Sequence, residues 1–253
     1  MRWVSISTIG LSLTPLSSVS IRCAPHVIGV LLDALPLMRQ LIETELNGVN
    51  DNPIVDIDSQ RILSGGNFYG GHIAFAMDAL KTAVANLADL MDRQFALIVD
   101  DKFSNGLPRN LSGASRERAP INHGFKAVQI SSSAWTAEAL KLTMPASVFS
   151  RSTEAHNQDK VSMGTIAARD CLRVLTLTEQ VAAAHTLATV QAVRLRLALN
   201  PATRIPAPLR TFIDSVSEAS PFVDEDRPLE ADLRALLASI SGCALMKGGR
   251  AHD

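Results

Sequence analysis

The amino-acid sequence predicts an all-α fold, a long antiparallel helix bundle with a peripheral helical cap. Three observations support this fold class. The 253 residues are 47% apolar but only 4% aromatic. Apolar residues recur at helical steps of three and four over long stretches of the chain. Outside the first twenty residues, Val, Ile and Thr never alternate with polar residues over the length of a strand. We therefore expect helices to form the core.

Charge and cysteine content exclude several classes of function. Lysine and arginine number 24 against 25 aspartates and glutamates, and no basic run occurs. The sequence therefore predicts no nucleic-acid partner and no membrane surface. The three cysteines are odd in number and far apart in sequence, which is not the pattern of a disulfide-stabilised secreted domain or of a metal site. The histidines also lack the spacing of metal ligands. We expect a cytoplasmic protein without a metal.

The chain divides into three predicted regions. Residues 1–19 form an ill-fitting N-terminal segment, in which Ser and Thr interrupt an apolar stretch that is too weak for a signal peptide. Residues 20–200 form the helical-bundle domain, and residues 201–253 form a cap of short helices. Prolines divide the cap into amphipathic pieces, because proline ends or kinks a helix. These prolines are Pro206, Pro208, Pro221 and Pro228.

The first two bundle helices are predicted from their apolar spacing. The first runs from His26 to about Asn47, and Pro36 is expected to kink it rather than end it. The second starts after Gly71 and has the most regular register in the chain, which is typical of a bundle seam that needs a helical partner. Its positions alternate four and three residues apart: Ile73, Met77, Leu80, Val84, Leu87, Met91, Gln94 and Ile98. Its one polar member is expected to be a hydrogen-bonded interface amide.

Two further helices complete the predicted bundle. The third runs from about Asn122 to Leu142 and is stopped by Pro145, because the residue before a proline is pushed out of the helical region. The fourth begins near Thr153 and continues to about Leu199. A helix of that length can span a bundle from end to end.

Four polar segments interrupt the helical pattern, at residues 50–53, 63–70, 103–113 and 154–159; each contains Asn, and the second and third also contain Gly. Asn and Gly favour turns and left-handed backbone positions, which a bundle needs only at its ends. Their density therefore predicts a shaped cavity.

Residue spacing alone suggests candidate binding side chains but leaves their roles open. Glu154 and Gln158 are four residues apart, so on a helix they would share one face, with Ser152 or Thr153 as the cap. These two side chains could bind the amino group of a small substrate, or they could simply lie in the solvent-exposed first turn of a helix, with the carboxylate as a cap. Lys126 and Ile130 have the same spacing. Lys126 could line a pocket, or it could be an ordinary surface lysine. Arg22 could clamp a carboxylate with its planar guanidinium.

Six motifs, in order along the chain, resemble the aromatic amino acid ammonia-lyases and aminomutases. They are Ser20-Ile21-Arg22-Cys23-Ala24-Pro25, Asn50-Asp51-Asn52-Pro53, Ser64-Gly65-Gly66-Asn67-Phe68, Asn105-Gly106-Leu107-Pro108, Gly124-Phe125-Lys126, and His156-Asn157-Gln158-Asp159 with Val161-Ser162-Met163-Gly164. The resemblance covers nearly everything from Ser20 to the C-terminal region. Gln158 stands where histidine ammonia-lyases carry glutamate, so the chain is more similar to the phenylalanine and tyrosine enzymes.

The resemblance implies a substrate-binding role for six residues. It implies that Arg22 holds the substrate carboxylate and that Phe68 packs near the prosthetic group. Lys126 and Ile130 are implied to line the aromatic-ring pocket. Glu154 and Gln158 are implied to complete the polar wall near the amine and the electrophile.

The resemblance also implies a reaction and a prosthetic group. The family removes ammonia from an aromatic amino acid, here phenylalanine or tyrosine, to give the α,β-unsaturated acid. Its electrophile is a methylidene-imidazolone formed from an Ala-Ser-Gly triplet, and a tyrosine takes the proton. The nearest string here is Ala114-Ser115-Arg116, and the sole tyrosine, Tyr69, matches a variable position. We therefore expect no catalytic residue in this chain.

These absences predict a C-terminal fragment of an ammonia-lyase, inactive without the missing N-terminal half. The match begins abruptly at Ser20, which suggests a truncated, frameshifted or misannotated gene, or a split enzyme. The expected partners are an aromatic amino acid and either further copies, since the family forms homotetramers, or a complementing N-terminal polypeptide. Two alternatives remain open: a non-catalytic oligomerising remnant, and a component of an aminomutase or histidine ammonia-lyase.

Overall fold

The computed structural model describes residues 18–242, so most of the predicted N-terminal segment 1–19 and the end of the predicted cap lie outside the described residues. The described chain is mainly helical, which confirms the predicted all-α class. Its helices are α1 Val19–Arg22, α2 Ala24–Leu46, α3 Gly71–Val99, α4 Lys126–Lys141, α5 Gly164–Leu199, α6 Ala207–Ala219 and α7 Glu230–Ser241. None of these helices combines the length and the apolar character needed to cross a membrane.

The first helices follow the sequence pattern closely. Helix α2 contains Pro36 in its interior and continues past it to Leu46, as expected. Helix α3 covers the whole of the predicted second helix. Helix α4 starts only at Lys126, because Gly124 has a left-handed φ of +53° and interrupts a helical path from Asn122.

The predicted start of the fourth helix is wrong. Residues 150–163 are not helical, and α5 begins at Gly164, whose N–H donates to the Ser162 hydroxyl at 3.2 Å. Glu154, Ala155 and His156 have positive φ angles of 53°, 51° and 70°. Consecutive left-handed residues cannot belong to a right-handed helix. The predicted cap by Ser152 or Thr153 is therefore absent too, since there is no helix start at that point.

A short hairpin was missed by the sequence pattern. Strand β1, Ile54–Asp56, pairs antiparallel with β2, Arg61–Leu63. Three-residue strands are too short to show an alternating pattern. The turn between them is closed by the Asp56 carboxylate, which accepts the N–H groups of Asp58 and Ser59. Two apolar residues of the strands, Val55 and Ile62, are exposed, so the hairpin is held by backbone pairing and by these turn bonds rather than by a buried apolar face.

The described chain forms two compact units. The first unit comprises residues 18–25, Asp89–Trp135 and residues 179–242, and the second comprises His26–Ala88 and Thr136–Thr178. The domain boundaries predicted from sequence remain a prediction. The core of the first unit is a cluster of large apolar side chains that includes Phe95, Leu111, Phe125, Leu187, Val216 and Leu236. The second unit is built mainly around small residues, including Ala74, Ala85, Ala88, Ala139, Ala167 and Cys171.

The buried face of α3 lies one residue beyond the predicted seam. Most of its buried positions keep the same alternation of four and three: Ala74, Asp78, Lys81, Ala85, Ala88, Asp92, Phe95 and Val99. Ala76 and Leu90 are also buried, outside this alternation. Among the seam residues only Val84 is buried, and the others are half-exposed. The polar seam residue, Gln94, does have the hydrogen bond expected for it, because its amide donates to the Ser20 carbonyl at 2.9 Å.

Candidate functional site

Glu154 and Gln158 are brought together by a tight turn rather than by a helix. Thr153 and Gln158 form an antiparallel bridge, with N–H to carbonyl distances of 2.9 and 3.3 Å. Within the turn, the Gln158 amide donates to the Glu154 carboxylate at 3.1 Å, and the Asn157 amide donates to the same oxygen at 3.1 Å. All of these side chains are exposed. The turn therefore presents one carboxylate that is already held by two amides.

Phe68 lies in the glycine-rich segment between β2 and α3, and 59% of its surface is exposed. This segment packs beside the loop that carries Glu154. The Lys160 ammonium lies 5.8 Å from the centre of the Tyr69 ring, and a Cβ atom on Gly70 would lie 3.5 Å from the Ser162 hydroxyl. Gly70 has a φ of +67°, a conformation that glycine adopts without strain. Two of the polar segments, 63–70 and 154–159 with the residues that follow it, are thus neighbours within the second unit.

A cavity of about 600 Å³ borders the glycine-rich segment in the second unit, between the end of α2 and the start of α3. Its polar wall contains His72, whose Nδ1 lies 3.0 Å from Oε2 of Glu45. Asn50 also lines it and donates its amide to the Glu45 carbonyl at 2.8 Å. Sequence reasoning missed the Glu45 and His72 pair, because the two residues are 27 positions apart and no motif joins them.

Arg22 is the last residue of α1, in the first unit, and its side chain is exposed. The short helix is fixed from both sides: the Cys23 N–H donates to the Val19 carbonyl at 2.8 Å, and Gln94 bonds to Ser20. Among residues 18–242, no ion pair involves the Arg22 guanidinium.

Lys126 and Ile130 lie one helical turn apart at the start of α4, also in the first unit. Both are exposed, Ile130 by 58%. Lys126 lines a second cavity, of about 480 Å³, with Arg109 and His123. The expected common face of Lys126 and Ile130 follows from their helical spacing.

The six candidate residues thus fall into two groups of three. Arg22, Lys126 and Ile130 belong to the first unit, and Phe68, Glu154 and Gln158 to the second. Direct contact is seen for Glu154 with Gln158. That all six line one substrate pocket remains a prediction.

A buried charge network supports the second unit. The Lys81 ammonium is fully buried, 2.8 Å from Asp78 and 3.3 Å from Asp170, and it donates to the Met144 carbonyl at 2.8 Å. Asp78 also accepts the Ala146 N–H at 3.0 Å. Burial alone would raise the pKa of Asp78, but hydrogen bonds from Lys81 and from backbone N–H groups hold that pKa below its ordinary value. The network ties α3 to the turn that leads into the loop of Glu154.

The string closest to the family's electrophile triplet does not fit that prosthetic group. The Ser115 hydroxyl donates to the Glu117 carboxylate at 2.8 Å, and the Ser115 carbonyl accepts the N–H groups of Arg118 and Ala119. Arg116 occupies the position where the triplet has glycine, and a bulky side chain there obstructs backbone cyclisation. Ala114 and Ser115 are in irregular backbone that leads into a turn at Arg116, and Ser115 and Arg116 are exposed. No reaction step is assigned to them.

Comparison with known proteins gives one consistent family. The family model described as aromatic amino acid lyase matches residues 17–218. Tyrosine ammonia-lyase of Cereibacter sphaeroides is 40% identical over 218 residues, which cover 86% of this chain and 41% of that enzyme. The crystal structure of histidine ammonia-lyase from Trypanosoma cruzi matches with a TM-score of 0.84 and 31% identity, over 92% of this chain and 45% of that one.

Aminomutases are similar to the same extent. The structure of tyrosine aminomutase from Streptomyces globisporus matches with a TM-score of 0.83 and 31% identity, over 91% of this chain and 42% of that one. The chain spans less than half the length of each of these three proteins. The similarity therefore concerns one part of each of them.

Proposed function

Because this chain belongs to the aromatic amino acid lyase family, we propose that it supplies the substrate-binding part of an ammonia-lyase acting on tyrosine or phenylalanine. The contact between Glu154 and Gln158 carries this proposal. An amide beside the carboxylate offers a donor and an acceptor without adding negative charge. A single carboxylate suits the ammonium group of an amino acid, and no second carboxylate is present in the turn to favour an imidazole ring.

The other candidate residues are proposed to contact the carboxylate and the aromatic ring of the substrate. The exposed guanidinium of Arg22 offers two parallel hydrogen bonds to the substrate carboxylate. Phe68 and Ile130 offer exposed apolar surface to the aromatic ring. Lys126, one turn from Ile130, would lie at the edge of the ring.

The reaction needs an electrophile that the described residues do not form. In the family this electrophile is a methylidene-imidazolone, and residues 114–116 do not fit it. The proposed function therefore requires a polypeptide segment that carries an Ala-Ser-Gly triplet and a base tyrosine, either joined to this chain or separate from it.

Exposed apolar surface supports such a partner or further copies of the chain. Only Met38 is buried in the 23 residues of α2. Apolar side chains of this helix are exposed instead: Ile28, Val30, Leu32, Leu35, Leu37 and Leu46. Large apolar patches of this kind mark association surfaces. We propose that they are covered in a homo-oligomer, a tetramer by analogy with the family, or by the complementing segment.

Complementation tests the proposed function. The chain is co-expressed with the part of the Cereibacter sphaeroides tyrosine ammonia-lyase that it does not match, and each part is also expressed alone. We expect coumarate from tyrosine or cinnamate from phenylalanine with both parts present, and neither product with one part. Product formed by this chain alone would contradict the division of roles.

The same assay separates the alternative functions. The similarity to a histidine ammonia-lyase and to an aminomutase supports these two activities as second candidates. Urocanate from histidine would indicate the first, and a β-amino acid from tyrosine the second. A well-folded, assembled complex without any product would indicate a non-catalytic oligomerising role.

A further inference from the structure

The second cavity, in the first unit, has a wall that is basic and amide-rich. It measures about 480 Å³ and is enclosed by residues 108–123 and the first residue of α4. The polar side chains that line it are Arg109, Asn110, Ser112, Asn122, His123 and Lys126. No aspartate or glutamate of the described chain belongs to this lining. The cavity therefore concentrates positive charge and hydrogen-bond donors.

The acidic side chains nearby are already occupied. Glu225 accepts two hydrogen bonds from Arg118, at 2.7 and 2.6 Å. Asp226 accepts the backbone N–H groups of His123 and Gly124 at 2.8 Å. By contrast, within residues 18–242 the side chains of Arg109 and Lys126 take part in no ion pair or hydrogen bond. Arg109 and Lys126 therefore have no ion-pair partner among the described residues, whereas the third basic side chain of the wall, His123, has the Asp226 carboxylate 3.6 Å from its Nδ1.

The loop that carries Arg109 is fixed in place. Asn110 and Leu111 have left-handed φ angles of 55° and 56°, and Leu111 is fully buried. The Asn110 carbonyl accepts the Phe125 N–H at 2.8 Å. The Leu111 carbonyl accepts the amide of the buried Gln191 at 3.2 Å. A wall held by buried bonds loses little conformational freedom when a ligand binds.

The segment after α6 fixes the other side of the cavity. Asn122 accepts the Asp226 N–H at 2.6 Å, while the Asp226 carboxylate holds His123 and Gly124. These bonds set the position at which α4 begins, and therefore the position of Lys126. The backbone that carries Arg109 and Lys126 is therefore positioned by residues far away in sequence, while the two basic side chains themselves are exposed.

We infer that this cavity binds the oxyanion group of a small molecule, a carboxylate or a phosphate. Arg109 and Lys126 neutralise its charge, and the Asn110 amide donates hydrogen bonds to its oxygens. The Asn122 amide has one N–H left for the ligand, because the other donates to the Arg118 carbonyl at 3.0 Å. Carboxylates and phosphates share this chemistry, and guanidinium groups recognise both. Lys126 is shared with the proposed substrate site, but the inference stands on the cavity and its test requires no turnover.

Titration of the purified chain tests the site. Inorganic phosphate, acetate and cinnamate are titrated separately at constant ionic strength, and binding is followed by calorimetry and by backbone amide shifts. We expect one saturable site. Arg109→Gln and Lys126→Gln should each weaken binding by about tenfold or more, as expected for the loss of a charge-assisted hydrogen bond. The matched control is Arg116→Gln, an exposed arginine of the same loop that does not line the cavity.

The outcomes separate the ligand classes. Tighter binding of phosphate assigns the site to a phosphate-bearing molecule, and tighter binding of cinnamate or acetate assigns it to a carboxylic acid. Either result supports the site if the control variant binds as the unmodified chain does. No saturable binding of any probe, or an equal loss in Arg116→Gln, overturns the inference. Neither failure bears on ammonia release, which the complementation assay measures separately.

Discussion

Arg22 illustrates how a single side chain can be placed by distant residues. It ends a four-residue helix that gains little stability from its own length. The bond from Gln94 to Ser20 holds this helix against α3. The backbone of Arg22 is therefore positioned, while its guanidinium is exposed and has no ion pair within the described residues.

Replacing Arg22 tests its role toward the substrate. In the complemented enzyme, Arg22→Ala should lose about 1.5–3 kcal/mol of carboxylate binding, the usual contribution of a charged hydrogen bond. We expect KM to rise by roughly tenfold or more, with a smaller change in kcat. Arg210→Ala, which removes an exposed arginine of α6, is the matched control. An unchanged KM would remove Arg22 from the substrate site.

His185 makes stability dependent on pH. Burial lowers the pKa of this histidine on α5 from its ordinary value of 6.5 to about 4. Between these values the unfolded chain binds more protons than the folded chain. The stabilisation from neutral His185 is therefore complete above pH 6.5, and it falls as the pH decreases toward 4, by roughly 3 kcal/mol for this group.

Denaturant unfolding at several pH values measures this effect. His185→Gln should flatten the loss of unfolding free energy between pH 6.5 and 4. His26→Gln, at an exposed histidine of α2, should leave it unchanged. Equal slopes for the unmodified chain and His185→Gln would show that other groups cause the acid sensitivity.

Helix α3 shows what an apolar pattern predicts about an element and what it does not. Its existence and length follow from the three- and four-residue spacing, and both were predicted. The face that is buried was predicted one residue off, because small and charged residues are buried there. The charges of Lys81 and Asp78 can be buried only because they form an ion pair. Lys81 also pairs with Asp170, which lies far along the chain. Sequence spacing does not reveal such a pairing.

Removing the buried cation should destabilise the second unit. Lys81→Met leaves the Asp78 and Asp170 carboxylates without their cation, and breaking a buried pair in this way costs about 3–5 kcal/mol. Asp78→Asn added to Lys81→Met should recover part of the loss, since the two changes are coupled. Urea unfolding measures both. Lys141→Met, at an exposed lysine of α4, is the control. A loss for Lys81→Met no larger than for Lys141→Met would contradict the network's structural role.

The sequence motif identified the loop of Glu154, but the conformation of this loop could not be predicted from the sequence. Spacing placed Glu154 and Gln158 together, and they do touch. The helical reason for their proximity was wrong, because three left-handed residues close a turn there. Left-handed positions at Glu, Ala and His are uncommon, so they were not expected from residue type. The short hairpin was missed because it has too few residues to show a period.

At the scale of the whole molecule, the candidate residues are distributed over two compact units. Motif resemblance identified them together, although physical spacing gave only the two i, i+4 pairs. The Glu45 and His72 pair and the basic cavity were missed, since each depends on residues that only folding brings together. The exposed apolar residues of α2 are the surface that the proposed function assigns to association with further polypeptide.

Substrate preference tests the central claim most directly. The measurement is kcat/KM for tyrosine, phenylalanine and histidine in the complemented enzyme, for the unmodified chain, Gln158→Glu and the control Gln40→Glu, an exposed position on α2. We predict that tyrosine or phenylalanine is preferred over histidine by about tenfold or more. Gln158→Glu should lower kcat/KM for the preferred substrate by about tenfold, because it replaces the amide that lies 3.1 Å from Glu154 with a second negative charge. A preference for histidine in the unmodified enzyme would contradict the account.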